Sequence, residues 1–389
     1  MSSGIPLAWK NLTHDRRKLV VAIGGIVFAV MLMFQQRGFN DALFDSTVKI
    51  VRELNADLVI VNPLRFSLSS EIRFARSAID EAASHLGVSQ VKPLFIENIA
   101  ARLRIDKHRA HPIRVIAFDL NNEVFFDRIG EIKSQLARLN EPNTAIMDRL
   151  SMVGYGFDLS SSAKFPKMGE LSGRPINIIG TFQSGRDFAH DGNLIMSQEN
   201  FANYFRYRGL DPLSIVDLGL VKLQKDADST EVCKSLQASF GKKFTVLTRQ
   251  QFIDKEIGFW SRSTPVGVIF TIGTIMGFVV GVIICYQILA NDISEHMGEF
   301  ATLKAMGYKN SYFFGLVICQ SIYLAIFGFV PGLILSWGLF YINSNMTGLL
   351  LELTMPRIAL ILIATLTMCI VSGLLAVRKL IAADPASLF

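Results

Sequence analysis

Long uncharged runs alternate with polar segments along this chain and define its predicted organisation. We predict four transmembrane helices from these runs, at residues 19–36, 265–290, 311–342 and 358–377. Each run approaches or exceeds the length that a helix needs to cross the hydrocarbon core of a bilayer, about 30 Å. No Asp, Glu, Lys, Arg or His lies within them. Ion-coupled carriers usually keep an ionisable group inside the membrane, so this pattern argues against secondary transport.

The segment at 37–264 has a different pattern, in which short apolar stretches with strand-like and helical periodicity follow one another. This mixture predicts an α+β domain. We divide it into two β-α-β core halves at about 55–120 and 208–248, with an insertion at about 121–207. Helical stalks are predicted at its two ends, next to the first and second transmembrane helices.

A short charged segment, residues 291–310, separates the second and third apolar runs. Asp292 and Glu295 stand in the spacing of a capping box, and Gly307 supplies a helix stop. Apolar residues between them recur at helical spacing. The segment therefore predicts a helix of about three turns outside the membrane, with a solvated loop as the alternative.

The net charge of +6 is concentrated at the ends of the apolar runs. The basic residues there are Lys10, Arg16, Arg17 and Lys18 before the first run, Lys304 and Lys309 between the second and third, and Arg378 and Lys379 after the last. Cytoplasmic loops carry such an excess, so both termini and residues 291–310 are predicted to be cytoplasmic. This placement fits a membrane surface better than nucleic acid. Residues 1–18 are predicted to form an interfacial helix on the inner leaflet and residues 378–389 a cytoplasmic tail.

The same topology places the loop at 343–357 and the α+β domain on the other side of the membrane. The predicted fold class is an α-helical membrane protein with four transmembrane helices and a large extracytoplasmic α+β domain inserted between the first and second helices.

Glycines recur at every fourth position in two of the predicted transmembrane helices. They are Gly273, Gly277 and Gly281 in the second helix and Gly328 and Gly332 in the third. Small residues at this spacing let helix backbones approach closely in lipid. We predict that they mark helix-packing surfaces, either between helices of this chain or between two copies in a homodimer.

The residue pattern predicts no enzyme site, metal site or cofactor site in this chain. It lacks a Gly-x-x-x-x-Gly-Lys-Ser/Thr loop, so nucleotide chemistry would belong to a partner. Asp187, His190 and Asp191 come nearest to a cation site, but the glycines around them favour a turn. Cys233 is the one cysteine in the large polar region, so no disulfide can form within it.

The order of these elements resembles the FtsX-like permeases of the MacB type of ABC transporter. The charged segment is similar to that family's Arg/Glu-x-x-Glu-x-x-x-Leu-Lys-Ala-x-Gly segment, and residues 383–386 are similar to its closing motif. The resemblance implies that the segment docks onto a separate ATPase, which would bind the ATP and Mg. The residues that it assigns to docking are Ile293, Glu295, His296, Met297, Glu299, Phe300, Leu303, Lys304, Met306 and Gly307.

Within this group the chain resembles the DevC permeases, through stretches that lie in residues 34–45, 147–156 and 180–194. The resemblance implies a homodimer in the bacterial inner membrane that works with a periplasmic fusion protein and a TolC-like outer-membrane channel. Its expected cargo is envelope lipid or glycolipid. Two alternatives stay open for a chain of this architecture: a transmembrane signalling subunit that controls a periplasmic enzyme, and a permease that extracts lipoproteins.

Overall fold

The computed structural model describes residues 16–104, 109–122, 124–125, 132, 134–151, 165–187, 189–347, 349 and 351–382. The chain divides into two compact units. The helical unit comprises Met1–Asp41, Val266–Met346 and Leu351–Phe389, and the sheet unit comprises Ala42–Pro265 and Thr347–Leu350. Most of the predicted interfacial helix, up to residue 15, lies outside the described residues, and so does the closing motif at 383–386.

The helices have regular bounds over most of both units. In chain order they are α1 Arg16–Glu53, α2 Ser77–Ala83, α3 Leu136–Leu139, α4 Gln198–Tyr204, α5 Ser229–Phe240, α6 Arg249–Gly258, α7 Pro265–Glu295, α8 Met297–Ala305, α9 Asn310–Thr347 and α10 Met355–Ala382. A 3-10 turn at Arg206–Arg208 follows α4, and a π-helical turn at Phe259–Ser263 follows α6.

Four of the described helices, α1, α7, α9 and α10, are long and apolar enough to cross a membrane. They contain the four predicted transmembrane runs. The connection between α9 and α10 is shorter than the predicted loop at 343–357, because α9 continues to Thr347. Asn343 is accommodated inside this helix, where its side-chain amide donates a hydrogen bond of 3.1 Å to Gln35 of α1.

Glycines bring α7 and α9 close to α1 within the helical unit. A Cβ atom added at any of the five predicted packing glycines would lie within 4 Å of residues of α1. They are Gln36 for Gly273, Leu32 and Met33 for Gly277, Ala29 for Gly281, Ile26 for Gly328, and Val30 and Val27 for Gly332. All five glycines therefore face α1 of their own chain.

The sheet unit contains thirteen described strands. They are β1 Leu58–Val61, β2 Phe74–Ala75, β3 Val88–Glu97, β4 Arg102–Arg104, β5 His111–Pro112, β6 Arg114–Phe118, β7 Thr144–Asp148, β8 Lys167–Leu171, β9 Arg174–Phe182, β10 Asn193–Ser197, β11 Ile215–Val216, β12 Leu218–Leu223 and β13 Thr245–Thr248. Eleven of them form one sheet in the order β13-β1-β12-β3-β6-β10-β7-β9-β8-β4-β5, and β11 pairs with β2. The β6–β10 and β7–β9 pairs are parallel.

Both faces of this sheet are covered, as the residues of β1 illustrate. Leu58 and Ile60 point into a core that contains apolar residues of α2 and α5. Val59 and Val61 point the other way, into a core with the end of α1 and with α6. Because neighbouring strand residues point to opposite faces, a strand buried on both sides is apolar throughout.

Strand β3 joins the strands of the two predicted core halves to those of the predicted insertion at 121–207. Val88–Leu94 of β3 pairs with β12, whereas Phe95–Glu97 pairs with β6. Strands β7 to β10, which come from the predicted insertion, continue the same sheet beyond β6. Lys92 and Pro93 interrupt the apolar pattern of β3, so hydrophobic periodicity alone does not indicate a strand at Val88–Glu97.

Candidate functional site

The charged segment between α7 and α9 contains a short helix, α8, which His296 separates from α7. Nδ1 of His296 lies 2.9 Å from the carbonyl oxygen of Asp292. This geometry corrects the predicted helix start, because Asp292 and Glu295 form the last turn of α7 instead of capping α8. The apolar side of α7 continues through Ile293, which is fully buried, so the helix extends past the predicted cap.

Gly307 ends α8, as the sequence predicts. Its φ is +91°, in the left-handed region that favours glycine. The Gly307 amide donates to the Lys304 carbonyl at 3.1 Å, and the Tyr308 amide donates to the Leu303 carbonyl at 3.2 Å. This pair of bonds is a Schellman motif, which satisfies the last carbonyl groups of the helix and reverses the chain toward α9.

One side of α8 is buried in the helical unit. Phe300 is 2% exposed, and its ring meets that of Phe313 in α9 edge-to-face at 5.9 Å between centroids. Ala301 is buried beside it. Burial of a phenylalanine side chain contributes about 1.5–3 kcal/mol, so this contact fixes α8 against α9.

The other side of α8 is accessible. Of the ten predicted docking residues, Glu295, Glu299, Met306 and Gly307 are exposed, His296, Met297, Leu303 and Lys304 are partly exposed, and Ile293 and Phe300 are buried. Thr302, which the sequence does not single out, is also exposed. Ile293 of α7 and Phe300 of α8 are therefore turned inward, and the accessible surface contains acidic, basic and apolar side chains.

Polar contacts connect this segment to α1 and α9 in ways that the sequence does not reveal. Nζ of Lys18 donates to a carboxylate oxygen of Glu295 at 2.7 Å. Asp292 accepts a hydrogen bond of 3.0 Å from the side-chain amide of Gln320, which is fully buried in α9. Lys18 is 277 residues from Glu295 in sequence and Gln320 is 28 residues from Asp292, so only the fold identifies them as partners of this segment.

The turn around Asp187, where the sequence comes nearest to a cation site, contains a buried ion pair. Arg114 donates to one carboxylate oxygen of Asp187, and Nδ1 of His190 lies 3.0 Å from the other. Burial raises the pKa of Asp187, but Arg114 and His190 outweigh it and hold the pKa at about 2. Burial and the Arg114 charge lower the pKa of His190. Within the described part of the chain, no three His, Cys, Asp or Glu side chains are grouped to hold a metal ion.

A second buried cluster in the sheet unit is centred on Asp217, which has no exposed surface. Its carboxylate lies 2.8 Å from Arg208, 3.4 Å from Arg73 and 3.5 Å from Arg65, and it accepts a hydrogen bond of 2.9 Å from the Ile96 amide. Arg65 in turn donates to three carbonyl groups of its own loop, which follows β1. The cluster therefore fixes this loop against β3.

Comparison with known proteins identifies the region that contains α8. Residues 268–385 match the family model described as FtsX-like permease C-terminal. Residues 268–385 form an FtsX-like permease domain. The FtsX-like permease domain begins within α7 and includes α8, α9 and α10, so the accessible side of α8 belongs to it.

A similar chain is an uncharacterized ABC transporter permease, MJ1507, of Methanocaldococcus jannaschii. It is 22% identical over 346 residues, which cover 85% of this chain and 82% of the relative. The match therefore extends well beyond the FtsX-like permease domain.

Two solved structures are also similar to this chain. One is the periplasmic region of MacB from Actinobacillus actinomycetemcomitans, with 14% identity, a TM-score of 0.35, and coverage of 51% of this chain and 92% of that chain. The other is the extracellular domain of the noncanonic ABC-type transporter YknZ from Gram-positive bacteria, with 14% identity, a TM-score of 0.32, and coverage of 50% and 100% respectively.

Proposed function

We propose that this chain is the membrane subunit of a MacB-type ABC exporter and that the accessible side of α8 binds a separate ATPase. The observation that carries the proposal is the two-sided character of α8. One side is anchored on α9 through Phe300 and Phe313, and the other presents Glu299, Thr302 and Met306. A helix fixed in this way passes a push from a partner to the helices beneath it, because packed interiors deform little.

The energy for this movement would come from the partner. The sequence has no phosphate-binding loop, so ATP and Mg would bind to the ATPase and not to this chain. The relative from M. jannaschii is described as an ABC transporter permease, which agrees with such a division of labour.

The proposed topology has both termini and α8 in the cytoplasm and the sheet unit in the periplasm. Helix α1 is continuous over 38 residues and contributes to both units, so it would carry movement from one to the other. By its resemblance to the DevC permeases, the chain would act in the bacterial inner membrane with a periplasmic fusion protein and a TolC-like channel. Its cargo would be envelope lipid or glycolipid.

The working unit would be a homodimer, with a second copy bound to a face of α7 that the chain itself leaves uncovered. Helices of the same chain pack against Gly277 and Gly281, so the side of α7 that contains these glycines is not available to a second copy. Ile272, Met276 and Val279 lie on the exposed side of α7, where each has more than two fifths of its surface uncovered.

Reversal of one charge tests the docking proposal. Glu299→Lys should reduce both co-purification of the ATPase with the full chain and the ATP turnover of the complex. Glu352→Lys is the matched control, because Glu352 is exposed in the connection between α9 and α10 and would lie on the other side of the membrane. Unchanged co-purification and turnover in Glu299→Lys would refute the docking assignment. If the chain forms an intact complex with the ATPase but no cargo is exported, the result would favour the alternative of a transmembrane signalling subunit.

A further inference from the structure

The helical unit contains a cavity of about 310 Å³ between the first turns of α1 and the last turns of α7. Its lining residues are Arg17, Lys18, Leu19, Val21, Ala22, Ile288, Leu289, Asn291, Asp292 and Glu295. This volume is large enough for part of a small amphiphilic ligand.

The cavity has an apolar part that opens to the outside of the unit. Leu289 and Ala22 are buried at its inner wall, whereas Val21 is 75% exposed at its edge. An apolar wall that continues onto the exposed surface of a transmembrane helix is suited to an acyl chain that enters from the bilayer.

The polar part contains charges of both signs. Arg17 and Lys18 supply two cations from α1, and Asp292 and Glu295 supply two anions from α7. Lys18 and Glu295 form an ion pair at 2.7 Å, with side chains 61% and 52% exposed. An exposed pair of this kind contributes little to stability, so a ligand with complementary charges can replace it at small cost.

We propose that this cavity binds a zwitterionic phospholipid with a primary ammonium headgroup, such as phosphatidylethanolamine. The phosphate would accept hydrogen bonds from Arg17 and Lys18, and the ammonium would donate to Asp292 and Glu295. The acyl chain would lie along Val21 and Ile288. The four charges sum to zero, which matches a zwitterionic headgroup better than an anionic one. This proposal requires only that the helical unit lies in a bilayer, and it holds whether or not α8 binds an ATPase.

Lipid retention by the full chain tests the proposal. The protein would be reconstituted in vesicles with equal amounts of phosphatidylethanolamine, phosphatidylcholine and phosphatidylglycerol, re-extracted in mild detergent, and analysed by mass spectrometry for bound lipid. We expect retained phosphatidylethanolamine to exceed each of the others about tenfold, the ratio that one well-placed charged hydrogen bond supplies.

Two neighbouring valines provide a matched pair of variants. Val21→Trp should fill the edge of the cavity and abolish the enrichment, whereas Val20→Trp should keep it. Val20 is 68% exposed but does not line the cavity, so both variants change the same residue type at a similarly exposed position. Equal retention in the two variants would overturn the proposal.

A separate variant tests the assignment of the headgroup. Asp292→Asn should reduce the preference for phosphatidylethanolamine over phosphatidylcholine while the total bound lipid stays the same, because the amide removes one of the two carboxylates that hold the ammonium. A preference for phosphatidylglycerol in the wild type, or an unchanged preference in Asp292→Asn, would overturn the assignment.

Discussion

Asp217 shows how single residues stabilise the sheet unit. Its side chain has no exposed surface and lies among three arginines, two of which, Arg65 and Arg208, have fully buried side chains. A buried ion pair is not a strong source of stability by itself, but loss of one member leaves the other charges without a partner in a medium of low polarity.

Asp217→Asn should therefore destabilise the full chain by about 3–5 kcal/mol, because it removes the carboxylate that lies nearest to the buried side chains of Arg65 and Arg208. Thermal unfolding in detergent, followed by circular dichroism, would measure the effect. The exposed residue Asp226 gives a control, since Asp226→Asn should change stability by less than about 0.5 kcal/mol. Equal thermal unfolding midpoints for Asp217→Asn and Asp226→Asn would contradict a stabilising role for the Asp217 cluster.

The low pKa of Asp187 makes a second prediction at the scale of the residue. Its folded-state pKa of about 2 lies below the ordinary value of 3.8, so the ionised form stabilises the fold above pH 3.8 and this stability is lost as the pH falls through 2. The stability difference between wild type and Asp187→Asn should narrow by about 2 kcal/mol from pH 5 to pH 2. A stability difference between wild type and Asp187→Asn that stays constant with pH would show that Arg114 does not hold the carboxylate ionised.

Neither of these clusters can be predicted from the sequence. Arg65 is 152 residues away from Asp217 in sequence, and Arg208 is nine residues before Asp217, a spacing that follows no local periodicity. Asp187 and His190 do lie close together in sequence, and their types are compatible with a cation site. Arg114 decides between a cation site and an ion pair. Only the pairing of β6 with β10 brings Arg114 to Asp187 and His190.

Close helix packing is the main feature at the scale of the element. A Cβ at Gly328 would lie 2.3 Å from Cγ2 and 2.7 Å from Cβ of Ile26 in α1, so no larger residue fits without movement. Gly338, in the same helix, has no atom within 4 Å of an added Cβ. The two glycines therefore have different roles in α9.

Gly328→Ala should destabilise the full chain by about 1–3 kcal/mol, because it forces α1 and α9 apart. Gly338→Ala should leave stability unchanged or raise it, since alanine favours a helix and meets nothing at that position. Thermal midpoints in the same detergent provide the comparison. A larger loss for Gly338→Ala than for Gly328→Ala would contradict the contact between α1 and α9.

The elements differ in how well the sequence predicts them. Long uncharged runs locate α1, α7, α9 and α10 because a bilayer imposes a minimum length on apolar helices. Helix α5 lies in the predicted core half at about 208–248, and Asp228 caps its start, with its carboxylate accepting from two backbone amides. The start of α8 is different: the Asp292 spacing favours a cap, but burial of Ile293 keeps the chain in α7.

At the scale of the whole molecule, we propose that α8 receives force from an ATPase and that the helical unit passes it on. The FtsX-like permease domain contains both the accessible side of α8 and the helices on which it is anchored. The resemblance read from the sequence already predicts the role of this segment. Which residues of α8 are accessible depends on packing against α9, and so requires the structure.

Site-specific photocrosslinking from the two sides of α8 tests the central claim most directly. Benzoylphenylalanine would replace Thr302, which is exposed, or Phe300, which is buried against Phe313, and native membranes would be irradiated. We predict a covalent product with an ABC ATPase from position 302 and none from position 300. The absence of an ATPase product from position 302, or equal products from both positions, would contradict the claim that the accessible side of α8 is where the ATPase binds.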